Sequence, residues 1–332
     1  MKILFVWTGV TSYMADCWRE LAVQPGTELK VVIEEKARPG TDFRASEVMA
    51  GLDATIVDSC GAQSAEDWLG EWRPDVVFVV GWHAATCRRF ALSSKWDGVP
   101  KVCAFDMPWR LKVRTIAARF VLRRYLRRFS AAFVPGRAAE KYARWLGFRR
   151  IEKGLFGIRT EKFATAGRGD RAPYFLYVGR NSPEKRLDVL RNAYAEYSAA
   201  VPDPWPLRMF GQGLEGGFAQ PDEMPALYAG AGALVLASDF DPWPLVVAES
   251  CAAGLPVICT DRCTNHFELL RENGMVVKAG DVRAMAEAMT RMHDMGEDER
   301  HSRGNVGRRL VAPYSCREWA QRVLALAADL AG

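Results

Sequence analysis

The sequence predicts an α/β protein of two doubly wound domains, each built on a parallel sheet with helices on both faces. Its 332 residues exceed the roughly 100–200 residues of one domain. Short apolar runs alternate with helical segments in both halves of the chain, which is typical of parallel sheets. The alternation stops between about residues 154 and 172, where few side chains could be buried. We therefore place the domain boundary in that stretch.

The first half opens with an apolar run at residues 2–7, followed by a turn at 8–12 and a helical stretch at 13–21. Further strands are predicted at residues 29–33, 54–57, 75–80, 101–105 and 131–134. The run at 76–80 contains only Val and Phe, as in strands that are buried on both faces. These elements form the predicted first domain, residues 1–155.

In the second half, strands are predicted at residues 174–178, 207–210, 233–236, 256–260 and 275–278. Helical segments dominate from residue 282, and the last is amphipathic. We expect a linker at about residues 156–171, a second domain at 172–315, and a C-terminal helix at about 316–332 that joins the first domain. Two such Rossmann-like domains would face each other across a cleft between the carboxyl ends of their sheets, where ligands bind.

Composition excludes several classes of protein. Hydrophobic residues make up 49% and charged residues 26%, which excludes whole-chain disorder, collagen and coiled coil. The excess of Lys and Arg over Asp and Glu, 45 to 40, is too small to indicate nucleic-acid binding. No apolar run approaches the roughly 20 residues that span a bilayer, and the first run is too short for a signal peptide. Eight cysteines are spread thinly, and Cys259 and Cys263 have no companion pair of ligands, so we expect reduced thiols, no zinc site and a cytoplasmic protein.

Basic residues meet a predicted turn after the strand at 174–178. Gly179 and Arg180 follow the strand, and Lys185 stands where the next helix begins. Arg180 can grip phosphate oxygens in a bidentate fashion, and Lys185 adds a second positive charge near helix N–H groups. This pattern predicts a phosphate site, and a solvated basic helix start is the alternative.

Two acids stand eight positions apart around the following helix. Asp241 lies in the predicted loop after the strand at 233–236, and Glu249 lies on the helix. A carboxylate accepts two hydroxyl hydrogen bonds at once, which suits the vicinal diol of a ribose. We therefore expect Asp241 to face a sugar and Glu249 to face a ribose.

These residues carry a resemblance that covers about residues 173–280. Its ordered elements are Gly179, Arg180 and Lys185; Gly211-x-Gly213; residues 220–228; the two acids with residues 253–258; and Asn273-Gly274. The segment resembles the retaining nucleotide-sugar glycosyltransferases of the GT-B fold, in particular family 4, the glycosyl transferases group 1.

The resemblance implies a hexosyltransferase that moves a sugar from a nucleotide diphosphate donor to a glycan or lipid-linked acceptor with retention of configuration, in cell-envelope polysaccharide or glycolipid biosynthesis. It implies no cofactor, no metal and no nucleic acid. Arg180 and Lys185 would bind the donor diphosphate, Glu249 the ribose, and Asp241 with nearby N–H groups the sugar. The implied donor-binding set is Gly9, Gly179, Gly211, Gly213, Trp243, Leu245, Val246 and Glu249.

The sequence departs from the family pattern at three points. Asp241 replaces the usual Glu, and Pro244 removes an N–H where the family has Gly. Only about ten residues separate Phe210 from Gln220, where relatives hold another helix and strand. These departures predict an unusual donor preference and a shortened base pocket.

Three other interpretations of the second domain stay open. Asp239 and Asp241 form an Asp-x-Asp that could chelate a divalent metal, as in GT-A transferases. Because Arg180 and Lys185 already supply positive charge, we favour metal independence. A degenerate nucleotide-sugar-binding protein without turnover is a second alternative, and a GT-B epimerase or hydrolase is a third.

The first domain offers three candidate residues. His83 stands at the carboxyl end of a predicted strand, where relatives place a His near the donor sugar. Gly9 in the first turn would let the backbone approach the donor phosphate. Asp106 ends the fifth strand. A capping or packing role is the alternative for His83, and a helix N-cap for Asp106.

Basic residues crowd the segment Arg110–Arg128, which the sequence predicts to be an amphipathic helix. Leu122, Tyr125 and Phe129 form one apolar stripe, whereas Ile116 and Phe120 fall among the arginines. Apolar residues on a basic face suit an anionic membrane surface, which predicts a peripheral enzyme on the inner face of the membrane. A solvated helix with its stripe in the core is the alternative.

Overall fold

A computed structural model of the protein describes residues 1–35, 45–164 and 173–332. The chain divides into two compact units. The first unit comprises Met1–Gly157 with Cys316–Gly332, and the second comprises Ile158–Ser315. Of residues 156–171, which the sequence predicts to be a linker, 160–164 are helical and 165–171 lie outside the described residues.

The first unit contains a seven-stranded parallel sheet. Its strands are β1 (Lys2–Thr8), β2 (Glu28–Glu34), β3 (Ala54–Val57), β4 (Val76–Val80), β5 (Lys101–Ala104), β6 (Ala131–Val134) and β7 (Ile151–Lys153), in the order β3-β2-β1-β4-β5-β6-β7. Its helices are α1 (Ser12–Ala22), α2 (Ala45–Val48), α3 (Ala62–Leu69), α4 (Ala85–Leu92), α5 (Val113–Val121), α6 (Arg123–Leu126) and α7 (Arg137–Leu146), with a 3-10 turn at Ser94–Trp96.

The second unit contains a five-stranded parallel sheet in the order β12-β11-β10-β8-β9. Its strands are β8 (Phe175–Val178), β9 (Leu207–Phe210), β10 (Ala233–Leu236), β11 (Val257–Thr260) and β12 (Gly274–Val277). Its helices are α8 (Thr160–Ala164), α9 (Leu187–Ala200), α10 (Met224–Gly230), α11 (Leu245–Ala253), α12 (His266–Leu269), α13 (Val282–His293) and α14 (Glu297–Val311), with 3-10 turns at Pro183–Lys185 and Ala312–Tyr314.

The C-terminal helix α15 (Cys316–Ala331) packs in the first unit, against α1. Its Trp319 is fully buried and donates its indole N–H to the Leu155 carbonyl (2.7 Å). The Trp319 ring also lies 5.7 Å from that of Phe5, which stacks on Phe78 at 4.7 Å. Burial of such large side chains contributes about 1.5–3 kcal/mol each. The last helix therefore completes the core of the sheet formed by the first half of the chain.

The apolar runs predict the strands correctly, and each of them is a strand in the structure. Strand β7 was missed because Ile151–Lys153 has only one apolar residue. It lies at the edge of the sheet and pairs only with β6 among the described strands. Edge strands do not need the continuous apolar sequence of a central parallel strand.

The basic segment differs from its prediction as one amphipathic helix. It forms two helices, α5 and α6, which are interrupted at Leu122. Tyr125 and Phe129 of the predicted stripe are buried and Leu122 packs against them, so that stripe belongs to the core of the first unit. Phe120 remains exposed among the arginines. No helix within the described ranges combines the length and apolar character required to cross a membrane.

Candidate active site

The loops after β8 and β9 approach each other through glycine backbone. Gly179 donates its N–H to the Phe210 carbonyl (3.0 Å). A Cβ atom on Gly211 would lie 1.9 Å from the Gly179 carbonyl oxygen, and Gly211 has a φ of +154°. Gly213 has a φ of +74° with open space around it. The two glycines of this Gly-x-Gly motif are thus required for different reasons. Gly211 allows a close approach of the two loops, and Gly213 allows a left-handed backbone.

Lys185 and Asp241 form an ion pair in the second unit. Lys185 ends the 3-10 turn after β8, and its Nζ contacts Asp241 Oδ2 in the loop after β10. The side chains are only 15% and 10% exposed. The Asp241 loop is held by its N–H, which donates to the Arg262 carbonyl (3.1 Å), and by its carbonyl, which accepts from the Thr264 N–H (3.0 Å). Because an ammonium group has three N–H donors, Lys185 can bind a second acceptor while it holds Asp241.

Arg186 was missed by the sequence analysis, although it is the next residue after Lys185. It adopts a left-handed backbone with a φ of +49°. Its guanidinium contacts Asp239 (2.8 Å) and Asp188 (2.9 Å), and these carboxylates raise its pKa. Both acids of the predicted Asp-x-Asp therefore face a cation, since Asp241 faces Lys185. Among the described residues, no three His, Cys, Asp or Glu side chains are grouped as metal ligands.

Arg180 lies mostly in solvent beside these pairs. Its side chain is 70% exposed and contacts Glu184 at 3.2 Å. Its carbonyl accepts a hydrogen bond from the Tyr177 hydroxyl (3.0 Å), and burial raises the pKa of Tyr177, which keeps that hydroxyl protonated. The backbone at Arg180 is thus fixed, whereas its guanidinium can turn toward an anion.

Helix α11 begins beside the Asp241 loop. Pro244 caps it with an extended backbone, and its carbonyl accepts from Asn265 Nδ2 (2.8 Å). Leu245 and Val246 are the first helical residues, where N–H groups have no acceptor within the helix. Trp243 is buried, with its ring 5.4 Å from that of Tyr314. Leu245 and Val246 can therefore offer N–H donors to an anion, and Trp243 fixes the loop that precedes them.

Glu249 has a hydrogen-bond partner that the sequence analysis did not assign. The Tyr228 hydroxyl donates to Glu249 Oε2 (2.7 Å). Burial raises the pKa of Glu249, and the bond from Tyr228 opposes that rise. Burial and the neighbouring carboxylate raise the pKa of Tyr228, which therefore stays a donor. Tyr228 ends the 220–228 motif, so the only sequence signal for it was its place in that motif.

Two of the three candidate residues of the first unit line one cavity. His83 and Asp106 line a space of about 260 Å³ at the carboxyl ends of β1, β4 and β5. The rest of the lining includes five aromatic side chains and Thr11, whose buried hydroxyl has no hydrogen-bond partner among the described residues. Gly9 lies beside this cavity in sequence, with a φ of +71°, and donates its N–H to the Glu34 carbonyl (3.0 Å). The structure thus places His83 and Asp106 at the same cavity. Thr11 also lines this cavity, although the sequence analysis did not name it as a candidate.

A comparison with known families matches part of the second unit. Residues 172–295 match the family model described as glycosyl transferases group 1. The match covers less than half of the chain and lies within the second unit. The matched range contains Lys185, Asp241 and Glu249, and it confirms the family that the sequence resemblance indicated.

Curated relatives match this chain over a limited stretch. An exopolysaccharide phosphotransferase of Streptomyces coelicolor is 33% identical over 138 residues, 35% of this chain and 14% of that protein. The O-antigen chain mannosyltransferase B of Escherichia coli is 26% identical over 146 residues, 38% of this chain and 37% of that protein. The chain therefore matches much less than two thirds of the length of either relative.

Solved structures match this chain over nearly its whole length. The Anabaena protein HepE, solved with UDP and glucose, covers 99% of this chain and 100% of its own, with a TM-score of 0.76 and 14% identity. At that identity the likeness shows the fold. The predicted GT-B fold of two Rossmann-like domains is confirmed.

Proposed function

We propose that this protein is a glycosyltransferase that moves a sugar from a nucleotide diphosphate donor to a glycan or lipid-linked acceptor, with retention of anomeric configuration. The observation that carries the proposal is the Lys185–Asp241 ion pair. It lies at the carboxyl ends of the sheet strands, inside the range that matches the group 1 family. A shielded cation beside a carboxylate can bind a phosphate and a sugar hydroxyl at adjacent positions.

Stabilisation of the leaving diphosphate is the proposed catalytic role of Lys185 and Arg180. Negative charge develops on the phosphate oxygen as the bond to the sugar breaks, and a fixed cation lowers the energy of that state. Lys185 is held in place by Asp241, and Arg180 has the freedom to turn toward the phosphate. The two cations supply the charge for which GT-A enzymes use a metal, so we propose turnover without one. The leaving phosphate oxygen itself would take the acceptor proton, and no side-chain base is required.

Glu249 is proposed to bind the ribose of the donor. Its Oε2 accepts from Tyr228, which leaves Oε1 and the remaining lone pairs for ribose hydroxyls. The N–H groups of Leu245 and Val246 would bind the phosphate or the sugar, and Asp241 would accept a sugar hydroxyl. Gly179, Gly211 and Gly213 would let the donor approach the backbone.

The cavity of the first unit is proposed to serve the sugar and the acceptor. His83 and Asp106 place polar groups in a lining that includes five aromatic side chains, a combination that suits the polar edges and apolar faces of sugars. The names of the two curated relatives refer to an exopolysaccharide and to an O-antigen chain. These names support a place in cell-envelope polysaccharide or glycolipid biosynthesis, on the cytoplasmic side of the membrane.

Asp241 and Pro244 favour a second candidate function. A shorter acid and a missing N–H at two family positions would weaken the hold on the sugar while leaving the nucleotide contacts in place. A nucleotide-sugar-binding protein without turnover would then result. An epimerase or hydrolase of the same fold would differ from the proposed transferase only in the product that it forms.

Calorimetric titration of UDP, GDP, ADP, CDP and dTDP, with and without magnesium, tests the donor site. We expect micromolar binding of one nucleotide, independent of magnesium and lost in Glu249→Ala. The matched control is Glu287→Ala, which removes an exposed carboxylate of α13 that pairs with Arg283. Binding that requires magnesium would support the Asp239/Asp241 metal site instead, and no binding to any nucleotide would contradict the proposal.

Product analysis then separates the candidate activities. The nucleotide sugar that binds is incubated with and without acceptor glycans, and the products are identified by NMR. A glycoside with the donor's anomeric configuration supports the transferase. Free sugar or an epimer without acceptor would support the hydrolase or epimerase, and an unchanged donor would support the binding protein.

A further inference from the structure

Four arginines surround an open cleft on the first unit, apart from the candidate active site. The cleft has a volume of about 520 Å³, within the range of ligand sites. Arg119, Arg123 and Arg127 line one side at a spacing of four residues, which places them on one face of α5 and α6. Arg149 lines the other side, after the left-handed Gly147 that ends α7. Two segments distant in sequence thus direct basic side chains into one space.

Among the described residues, the arginines of this cleft have no carboxylate partner, whereas two neighbouring arginines do. Arg128 contacts Asp97 (3.1 Å), and Arg150 contacts Asp329. Within the described residues, Arg123, Arg127 and Arg149 have no ion pair, and the lining contains no Asp or Glu. The sequence has no acid between residues 107 and 139. Concentrated positive charge without a counter-charge is costly unless an anion binds there.

Apolar side chains accompany these charges. Leu126, Phe129 and Leu146 form a buried apolar part of the lining, and Phe148 lies partly exposed beside them. On α5, Phe120 is 69% exposed at the cleft, and the adjacent Val121 is 79% exposed. Leu111 and Val113, at the start of this segment, are exposed as well. Exposed aliphatic and aromatic groups beside arginines favour a partner that is both anionic and apolar.

We propose that this cleft binds the phosphate head group of an anionic phospholipid in a bilayer, with Phe120 and Val121 inserted among the acyl chains. Guanidinium groups bind phosphate oxygens through paired N–H donors. A single-stranded nucleic acid would supply phosphates but would use aromatic faces for its bases, and it would leave Val121, Leu111 and Val113 in water. An anionic phospholipid would supply a phosphate to the arginines and acyl chains to the exposed apolar residues.

This site refines the membrane surface that the sequence predicts for Arg110–Arg128. The predicted stripe of Leu122, Tyr125 and Phe129 is packed in the core, so it is not available to a membrane. The cleft arginines and the exposed residues of α5 take that role instead. The inference does not depend on the donor chemistry of the second unit.

Flotation with vesicles of phosphatidylcholine, with and without phosphatidylglycerol, tests the cleft. The test variant is Arg123→Ala with Arg127→Ala. The matched control is Lys112→Ala with Arg124→Ala, which removes two charges from the same segment outside the cleft. Each basic residue near an anionic surface strengthens binding about fivefold, so the control loses about 30-fold at most. We expect the cleft variant to lose at least about tenfold more than the control, because it also loses the paired phosphate contacts.

Two further measurements make the outcomes decisive. Phe120→Ser should weaken vesicle binding without a loss of affinity for soluble dihexanoyl phosphatidic acid, which the wild-type protein should bind in the cleft. Nucleotide titration on each variant reports an intact fold, and it separates failure of this inference from failure of the donor site. Equal losses of vesicle binding in the two double variants would contradict the proposed cleft site and would indicate that binding depends on diffuse surface charge. If the protein bound a single-stranded RNA and did not bind phosphatidylglycerol vesicles, the proposal of a lipid ligand would be wrong.

Discussion

The two sheets carry different chemistry at their carboxyl ends. In the second unit, the polar side chains hold one another: Lys185 pairs with Asp241, Arg186 with Asp239, and Tyr228 with Glu249. In the first unit, His83, Asp106 and Thr11 line a cavity together with five aromatic side chains. We call the site of the second unit the charge-organised site, because ion pairs and a hydrogen bond to a carboxylate hold its side chains. We call the cavity of the first unit the shape-organised site.

This difference indicates how the two units would divide the work. Paired charges fix the positions of groups that must meet a diphosphate, which is common to all donors of one class. A cavity lined by both aromatic and polar side chains can suit different sugars through changes in its lining. We therefore expect variants of the second unit to affect turnover and nucleotide binding strongly, and variants of the first unit to affect the sugar and acceptor.

Lys185→Ala should have the largest effect and gives the strongest test of the charge-organised site. We expect kcat to fall by about 10²- to 10³-fold, because one fixed charge on the leaving group is lost. Nucleotide affinity should fall much less, since the ground state needs less charge stabilisation. Steady-state kinetics and calorimetry measure the two changes. Arg191→Ala, which breaks an exposed ion pair with Glu215 (2.9 Å), is the control and should change neither. Equal losses of turnover and affinity would mean that Lys185 only binds the donor.

Gly211→Ala should have the next largest effect, on the stability of the second unit. A methyl group there would overlap the Gly179 carbonyl, and we expect a loss of about 3 kcal/mol or more, or failure to fold. Gly213→Ala is the matched comparison, with a positive φ and open space, and should lose only about 1–2 kcal/mol. Thermal and urea denaturation measure both. Similar losses would show that backbone conformation, not contact between the loops, requires the glycines.

The same contrast explains which parts of the molecule the sequence could predict. The strands follow from apolar runs such as residues 76–80, whereas Lys185, Asp241 and Glu249 were singled out from their strand, loop and helix context and from the family resemblance. Arg186 and Tyr228 were missed because their importance depends on partners 53 and 21 residues away. Thr11 was missed because its cavity is lined by residues from Trp7 to Phe156, which only the fold brings together. Strand β7 was missed because an edge strand needs little apolar sequence.

His83→Asn tests the shape-organised site in the first unit. We expect kcat/KM to fall by about 10- to 100-fold, through loss of a hydrogen bond to the sugar in the transition state. Nucleotide affinity, measured by calorimetry, should stay at the wild-type value because the proposed nucleotide contacts lie in the second unit. His301→Asn, on α14 of the second unit, is the control and should leave both quantities unchanged. If His83→Asn weakened nucleotide binding, the division of work between the units would be wrong.

Tyr228→Phe should have the smallest effect and tests the Glu249 carboxylate by its pH dependence. Glu249 must be ionised to accept two ribose hydroxyl bonds, burial raises its pKa, and Tyr228 stabilises the ionised form. Removal of the hydroxyl should therefore raise the pKa of Glu249 further, because a hydrogen bond that stabilises the ionised form is lost. As the pH is lowered, the nucleotide affinity of the variant should therefore begin to fall at a higher pH than that of the wild-type protein. At alkaline pH the two affinities should be similar.

Calorimetric titrations across the acid range measure this shift in Tyr228→Phe. Tyr174→Phe is the matched control, because its hydroxyl donates to the Leu227 carbonyl (2.6 Å) and not to a carboxylate. It should leave the pH profile in place. A loss of affinity that is the same at every pH in Tyr228→Phe would show that Tyr228 only orients Glu249. An unchanged profile would show that Glu249 does not need its charge, and the ribose contact would then have to be assigned to a neutral group of the second unit.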